Sequence, residues 1–69
     1  MEELQFGVIL KALRTEKKLT QPQLAEKIGV SRAVISFWEN GVYEPTATNI
    51  IKLAKFFDVT SDFLLGIDS

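Results

Sequence analysis

Apolar residues recur at helical spacing along nearly the whole chain. Phe6, Leu10 and Leu13 fall at i, i+4 and i+7 with Ile9 beside them, which predicts one stripe of a first helix. Lys17 and Lys18 would sit in its last turn, where cations suit the helix dipole. Thr20 starts a second helix: Gln23 stands at capping-box distance, Pro22 falls in the first turn, and Leu24, Ala25 and Ile28 form the buried stripe before Gly29. Ser31 caps a third helix that runs to about Asn40, with Val30 and Ile35 at hydrophobic-staple spacing and Gly41 ending it. Val42-Tyr43-Glu44-Pro45 reads as a loop. Thr46 caps a fourth helix carrying Ile50, Leu53, Ala54 and Phe57, and Thr60 a short fifth one carrying Phe63 and Leu64 before Gly66. Val59 and Leu64 repeat the staple. No strand pattern and no internal repeat is visible, and every connection is short. The expectation is a compact all-α bundle of five helices, one domain over residues 1–69.

The third helix has two unlike faces. At about 100° per residue, Val34, Ile35 and Trp38 share one arc, the expected core face. Arg32, Ala33, Ser36, Phe37 and Asn40 share the other. A helix that presents an arginine and small residues just past a tight turn can enter the major groove of B-DNA. Arg32 can offer two N–H groups to a guanine edge or one to a phosphate. Gln21, in the first turn of the second helix, lies beside unpaired backbone N–H groups, which makes that end a phosphate site. Together the two form a helix-turn-helix over about residues 20–40.

Composition narrows the chemistry. The 69 residues contain no cysteine and no histidine, so no disulfide, no thiolate metal site and no usual acid–base residue is expected. No nucleophile–base pair is visible, and no catalytic residue, metal, cofactor or small-molecule ligand is expected. No apolar run reaches the roughly 20 residues that span a bilayer, and the acidic start Met1-Glu2-Glu3 lacks the basic region of a signal peptide. A cytoplasmic binding module is the expectation. Eight Lys plus Arg against nine Asp plus Glu give a net charge of −1, mildly adverse to a nucleic-acid binder. Distribution counts for more: Lys11, Arg14, Lys17 and Lys18 cluster early, whereas Glu44, Asp58, Asp62 and Asp68 lie late.

Several side chains carry two or more readings. Lys11, Arg14 and Lys18 fall at i, i+3 and i+7, which suits either a phosphate-facing stripe or an ordinary solvated face. Arg14 can instead pair with Glu39 where the first and third helices meet, fixing their angle. Trp38 is expected to be core. Phe37 can touch a thymine methyl, pack against the second helix or sit in a protein interface. Phe56 reads as a half-covered surface aromatic. Phe63, Leu64 and Ile67 form either a dimer patch or a closure of the core. Asp58 and Asp62 lack a metal-binding context and read as loop and first-turn residues.

The stretch from Phe6-Gly7 to Leu65-Gly66 resembles the Cro and lambda-repressor (Xre) family of helix-turn-helix regulators. The strongest pieces are Leu19-Thr20-Gln21-Pro22-Gln23-Leu24-Ala25-Glu26-Lys27-Ile28-Gly29-Val30-Ser31, then Ile35-Ser36-Phe37-Trp38-Glu39-Asn40-Gly41 with Pro45, and the ending Phe57-Asp58-Val59-Thr60-Ser61-Asp62-Phe63-Leu64-Leu65-Gly66. The resemblance implies a five-helix domain that binds double-stranded operator DNA, usually as a homodimer. It implies base reading by Arg32, Ala33, Ser36 and Phe37, backbone contacts from Gln21 and Asn40, and a structural ion pair between Arg14 and Glu39. Lys11 and Lys18 join the backbone contacts on the reading of the first helix. Five positions depart from the family pattern. Phe37 stands where a polar or basic reader is usual. Val42 and Glu44 replace cations in the loop, leaving the Tyr43 hydroxyl as its phosphate donor. Val8 and Ile9 occupy commonly charged sites. The expected activity is repression by a homodimer whose third helices enter adjacent major grooves about 34 Å apart. The rival expectation is a protein-interaction module, antitoxin-like or an anti-repressor partner, with weak DNA affinity.

Overall fold

In the computed structural model, which describes residues 5–67, five helices follow one another: α1 (Phe6–Glu16), α2 (Gln21–Ile28), α3 (Arg32–Glu39), α4 (Ala47–Phe57) and α5 (Ser61–Leu65). The acidic start at Met1-Glu2-Glu3 and the late Asp68 lie outside the described residues. Four helix starts are capped by a hydroxyl: Thr20, Ser31, Thr46 and Thr60 each accept from the backbone N–H three residues on. At Thr20 the box is complete, because its own N–H donates to Gln23 Oε1 at 2.8 Å.

All five helices stop by one device. A residue at positive φ (Lys18, Gly29, Gly41, Asp58, Gly66) turns the chain. The next N–H then reaches back to a carbonyl five residues earlier, as in Leu19 to Arg14 at 3.1 Å and Val30 to Ala25 at 3.0 Å. The residue after each turn is apolar. At three junctions a Ser or Thr follows at once and caps the next helix, giving the hinges Lys18-Leu19-Thr20, Gly29-Val30-Ser31 and Asp58-Val59-Thr60. One apolar residue thus serves both the stop of one helix and the staple of the next. Lys17 and Lys18 therefore lie beyond α1 and not in its last turn. With no glycine at the stop, the sequence pattern ran on past Glu16.

Helix α3 packs against both α1 and α2, while α5 closes the other side against α1 and α4. Leu10, Leu24, Ile35, Leu53 and Leu64 are fully buried and share one core cluster with Trp38. Leu64 is therefore core and not surface, which corrects its place in a dimer patch; Phe63 and Ile67 stay exposed. Its position four residues past the Val59–Thr60 hinge turns it inward. The first turn of α1 lies on the end of α3. The Phe6 ring meets Trp38 edge-on at 6.0 Å, and a Cβ built on Gly7 would fall 2.6 Å from the Trp38 carbonyl oxygen and 2.8 Å from that of Glu39. A glycine inside a helix is here a contact requirement.

Gly7→Ala should therefore destabilise the domain although alanine is the better helix former. Forcing a methyl against two backbone carbonyls costs about 1–3 kcal/mol, and a urea titration should show an earlier midpoint with an unchanged slope.

Candidate nucleic-acid interface

One ion pair sets the geometry of the exposed face. Arg14 leaves α1 toward the interior, where its guanidinium donates from Nε to Glu39 Oε2 at 2.6 Å and from Nη2 to Oε1 at 3.0 Å. Its Nη1 donates to the Leu19 carbonyl at 2.8 Å, so the same side chain holds the hinge between α1 and α2. The Gln21 amide donates to Glu39 Oε1 at 3.1 Å. Both charged side chains are largely shielded from solvent, at 11% and 3% exposure. The hydrogen bond to Glu39 raises the Arg14 pKa above its ordinary value, burial pulls the other way, and the charge of Glu39 adds to the rise. Arg14 is thus spent inside the protein, and the i, i+3, i+7 stripe with Lys11 and Lys18 does not form. Lys11 remains on exposed α1 surface, and Lys18 stands on the αL turn.

The outer face of α3 lies beside the start of α2. Gln21, Arg32, Ala33, Ser36 and Phe37 line one open groove. Arg32 and Ala33 are exposed, and among the described residues Arg32 has no carboxylate partner. Gln21 gives one amide N–H to Glu39 and retains a second donor. The Ser36 hydroxyl accepts from the Asn40 amide at 3.3 Å and keeps its own hydrogen free to donate. Asn40 is the C-cap of α3 and is exposed.

Phe37 has a neighbour that the sequence reading did not offer. Its ring lies 5.3 Å from that of Tyr43, tilted by 54°, so the loop after α3 leans on the outer face of that helix. Phe37 is 40% exposed and Tyr43 46%. The six-residue separation and the turn at Gly41 hide this pairing from any periodicity argument. Lys17 Nζ lies 5.8 Å from the centre of the half-buried Phe56 ring, and a separate shallow groove between α1 and α5 is lined by Ile9, Ala12, Leu13, Glu16 and Phe63. Among the described residues no group of three or more acidic, His or Cys side chains could hold a metal ion, and no helix is long and apolar enough to cross a membrane.

Residues 10–64 match the family described as Helix-turn-helix. The HTH-type transcriptional activator BcrR of Enterococcus faecalis is 48% identical over 63 residues, 91% of this chain and 31% of that protein. Repressor protein C2 of Salmonella phage P22 is 36% identical over 63 residues, again 91% of this chain and 29% of that protein. The chain thus spans under a third of either relative. In the crystal structure of the P22 c2 repressor with a synthetic operator, the matching chain superposes with a TM-score of 0.86 at 34% identity, covering 97% of this chain and 100% of that one. The fold is that of the lambda-repressor-like DNA-binding domains.

Removing Glu39 should strand the Arg14 charge in the interior. Glu39→Ala is expected to cost about 3–5 kcal/mol, whereas an Arg14→Met, Glu39→Met double variant should regain most of that loss. Chemical denaturation of the single and double variants measures both.

Proposed function

The chain belongs to the helix-turn-helix family of transcriptional regulators, and from that premise we propose that it binds duplex DNA sequence-specifically, as a homodimer that represses transcription at a pseudo-palindromic operator. The observation that carries this reading is the groove where exposed Arg32 and small Ala33 and Ser36 stand beside Gln21 at the α2 N-terminus. Arg32 and Ser36 read base edges; Ala33 and Phe37 make apolar contacts. Gln21, Asn40, Lys11, Lys18 and the Tyr43 hydroxyl hold the backbone. Two copies place their α3 helices in successive major grooves, and the occupied site excludes polymerase. Phe63 on α5 and Ile67 just past it, both exposed, are the candidate contacts between copies.

The surface is sparing with cations. Arg14 is neutralised by Glu39 and the loop after α3 carries Val42 and Glu44, so few lysines or arginines release counterions. Affinity should then depend less steeply on salt than for a basic relative. A second reading, a protein-interaction module with weak DNA affinity, draws on the exposed Phe37, Val42 and Tyr43 and the net charge of −1. A gel-shift titration with random duplex at low salt separates the two: retardation supports the DNA-binding reading, and its absence at high micromolar protein supports the module.

Two variants test the roles of the cations. Arg32→Ala should lower affinity for a selected operator by about 1–3 kcal/mol and relax the preference at one base position. Base-substitution titrations that show parental affinity and preference would reject Arg32 as a reader. Lys18→Gly should move stability and binding in opposite directions. Relief of the αL backbone raises stability by about 0.5–1 kcal/mol, while loss of a phosphate contact weakens binding to all sequences and flattens the salt slope by about 1. Thermal melts and binding at several salt concentrations read the two effects.

A further inference from the structure

We infer that Phe37, held by Tyr43, reads the C5-methyl group of a pyrimidine in the major groove. This rests on the DNA-binding reading above and adds which chemical group the apolar part of the groove selects. The phenyl ring has no donor or acceptor, so it cannot distinguish bases by hydrogen bonding. The apolar feature that a base pair presents in the major groove is the thymine methyl, and 5-methylcytosine presents the same group. Phe37 borders the same groove as Arg32, Ala33, Ser36 and Gln21, so its exposed portion stands among the polar readers and not on a separate surface.

Discrimination by one methyl group needs a ring that does not move aside. The Tyr43 ring, 5.3 Å away and tilted by 54°, backs Phe37 from the loop side. Tyr43 is itself anchored to the helix end, because the Val42 N–H donates to the Phe37 carbonyl at 2.9 Å and fixes the turn at Gly41. Tyr43 therefore acts as a positioning residue through its ring, apart from any contact of its hydroxyl with a phosphate. A polar side chain at position 37 would have no use for such a prop.

The test enriches duplexes from a random pool with the 69-residue chain. It then replaces each thymine of the enriched site by deoxyuridine, which removes the methyl group alone. One thymine per half-site should show a roughly 3–10-fold loss of affinity, in keeping with an apolar contact of about a kcal/mol. That loss should vanish in Phe37→Ser and shrink by half or more in Tyr43→Ala. It should persist in Tyr43→Phe, which keeps the ring and drops the hydroxyl. 5-Methylcytosine at the same position should restore affinity relative to cytosine. Uracil tolerated at every position, or an equal penalty in Phe37→Ser, overturns the inference while leaving DNA binding intact. A change of oligomeric state in Phe37→Ser, seen by sedimentation with no uracil penalty in the parent, overturns it in favour of a protein contact. Failure to enrich any duplex overturns the DNA-binding reading and this inference with it.

Discussion

A shielded guanidinium–carboxylate pair governs the arrangement of the first three helices. Arg14 comes from α1, Glu39 from the last turn of α3, and both reach the start of α2 through the Leu19 carbonyl and the Gln21 amide. Such a pair adds little net stability, because desolvating two charges offsets their attraction. Its directional bonds do something that apolar packing does not. The fork of Arg14 admits Glu39 in one orientation, and that orientation sets the α3 axis against α1 and α2. Gly7 enforces the same junction from the other side by letting the α1 backbone rest on the α3 carbonyls. The exposed face of α3 inherits its orientation from these two contacts.

The same pair decides the electrostatics of that face. A cation that bonds a carboxylate and a carbonyl in the interior is lost to phosphates, so Arg32 stands as the one arginine free for a ligand among the described residues. The groove around it is small, polar on the α2 side and aromatic on the loop side. Such a surface puts more weight on shape and apolar complementarity, and less on counterion release, than a lysine-rich one.

Much of the fold was legible because its determinants are local. A Ser or Thr three residues before a backbone donor, a glycine after an apolar stripe and a staple pair are short-range patterns, and Thr20, Ser31, Thr46 and Thr60 all show the first of them. The end of α1 was not, since a lysine occupies the left-handed position where glycine would have marked the stop. Leu64 could not be placed by composition: an apolar residue near a chain end closes a core or covers a neighbour, and only packing decides. Gly7 carries no local signal, because its reason lies in the backbone of another element. The opposition of Arg32 and Trp38 on α3 follows from periodicity, but the leaning of Tyr43 on Phe37 depends on the path of a loop and has no periodic signature.

The three short hinges carry a kinetic consequence. Each joins two helices through three or four residues, so neighbouring helices meet across short separations and little loop entropy is lost before contacts form. Helical domains of such low contact order fold in about microseconds to milliseconds. A chain built this way regains its shape soon after synthesis or thermal opening, and it meets any partner with its surfaces already assembled.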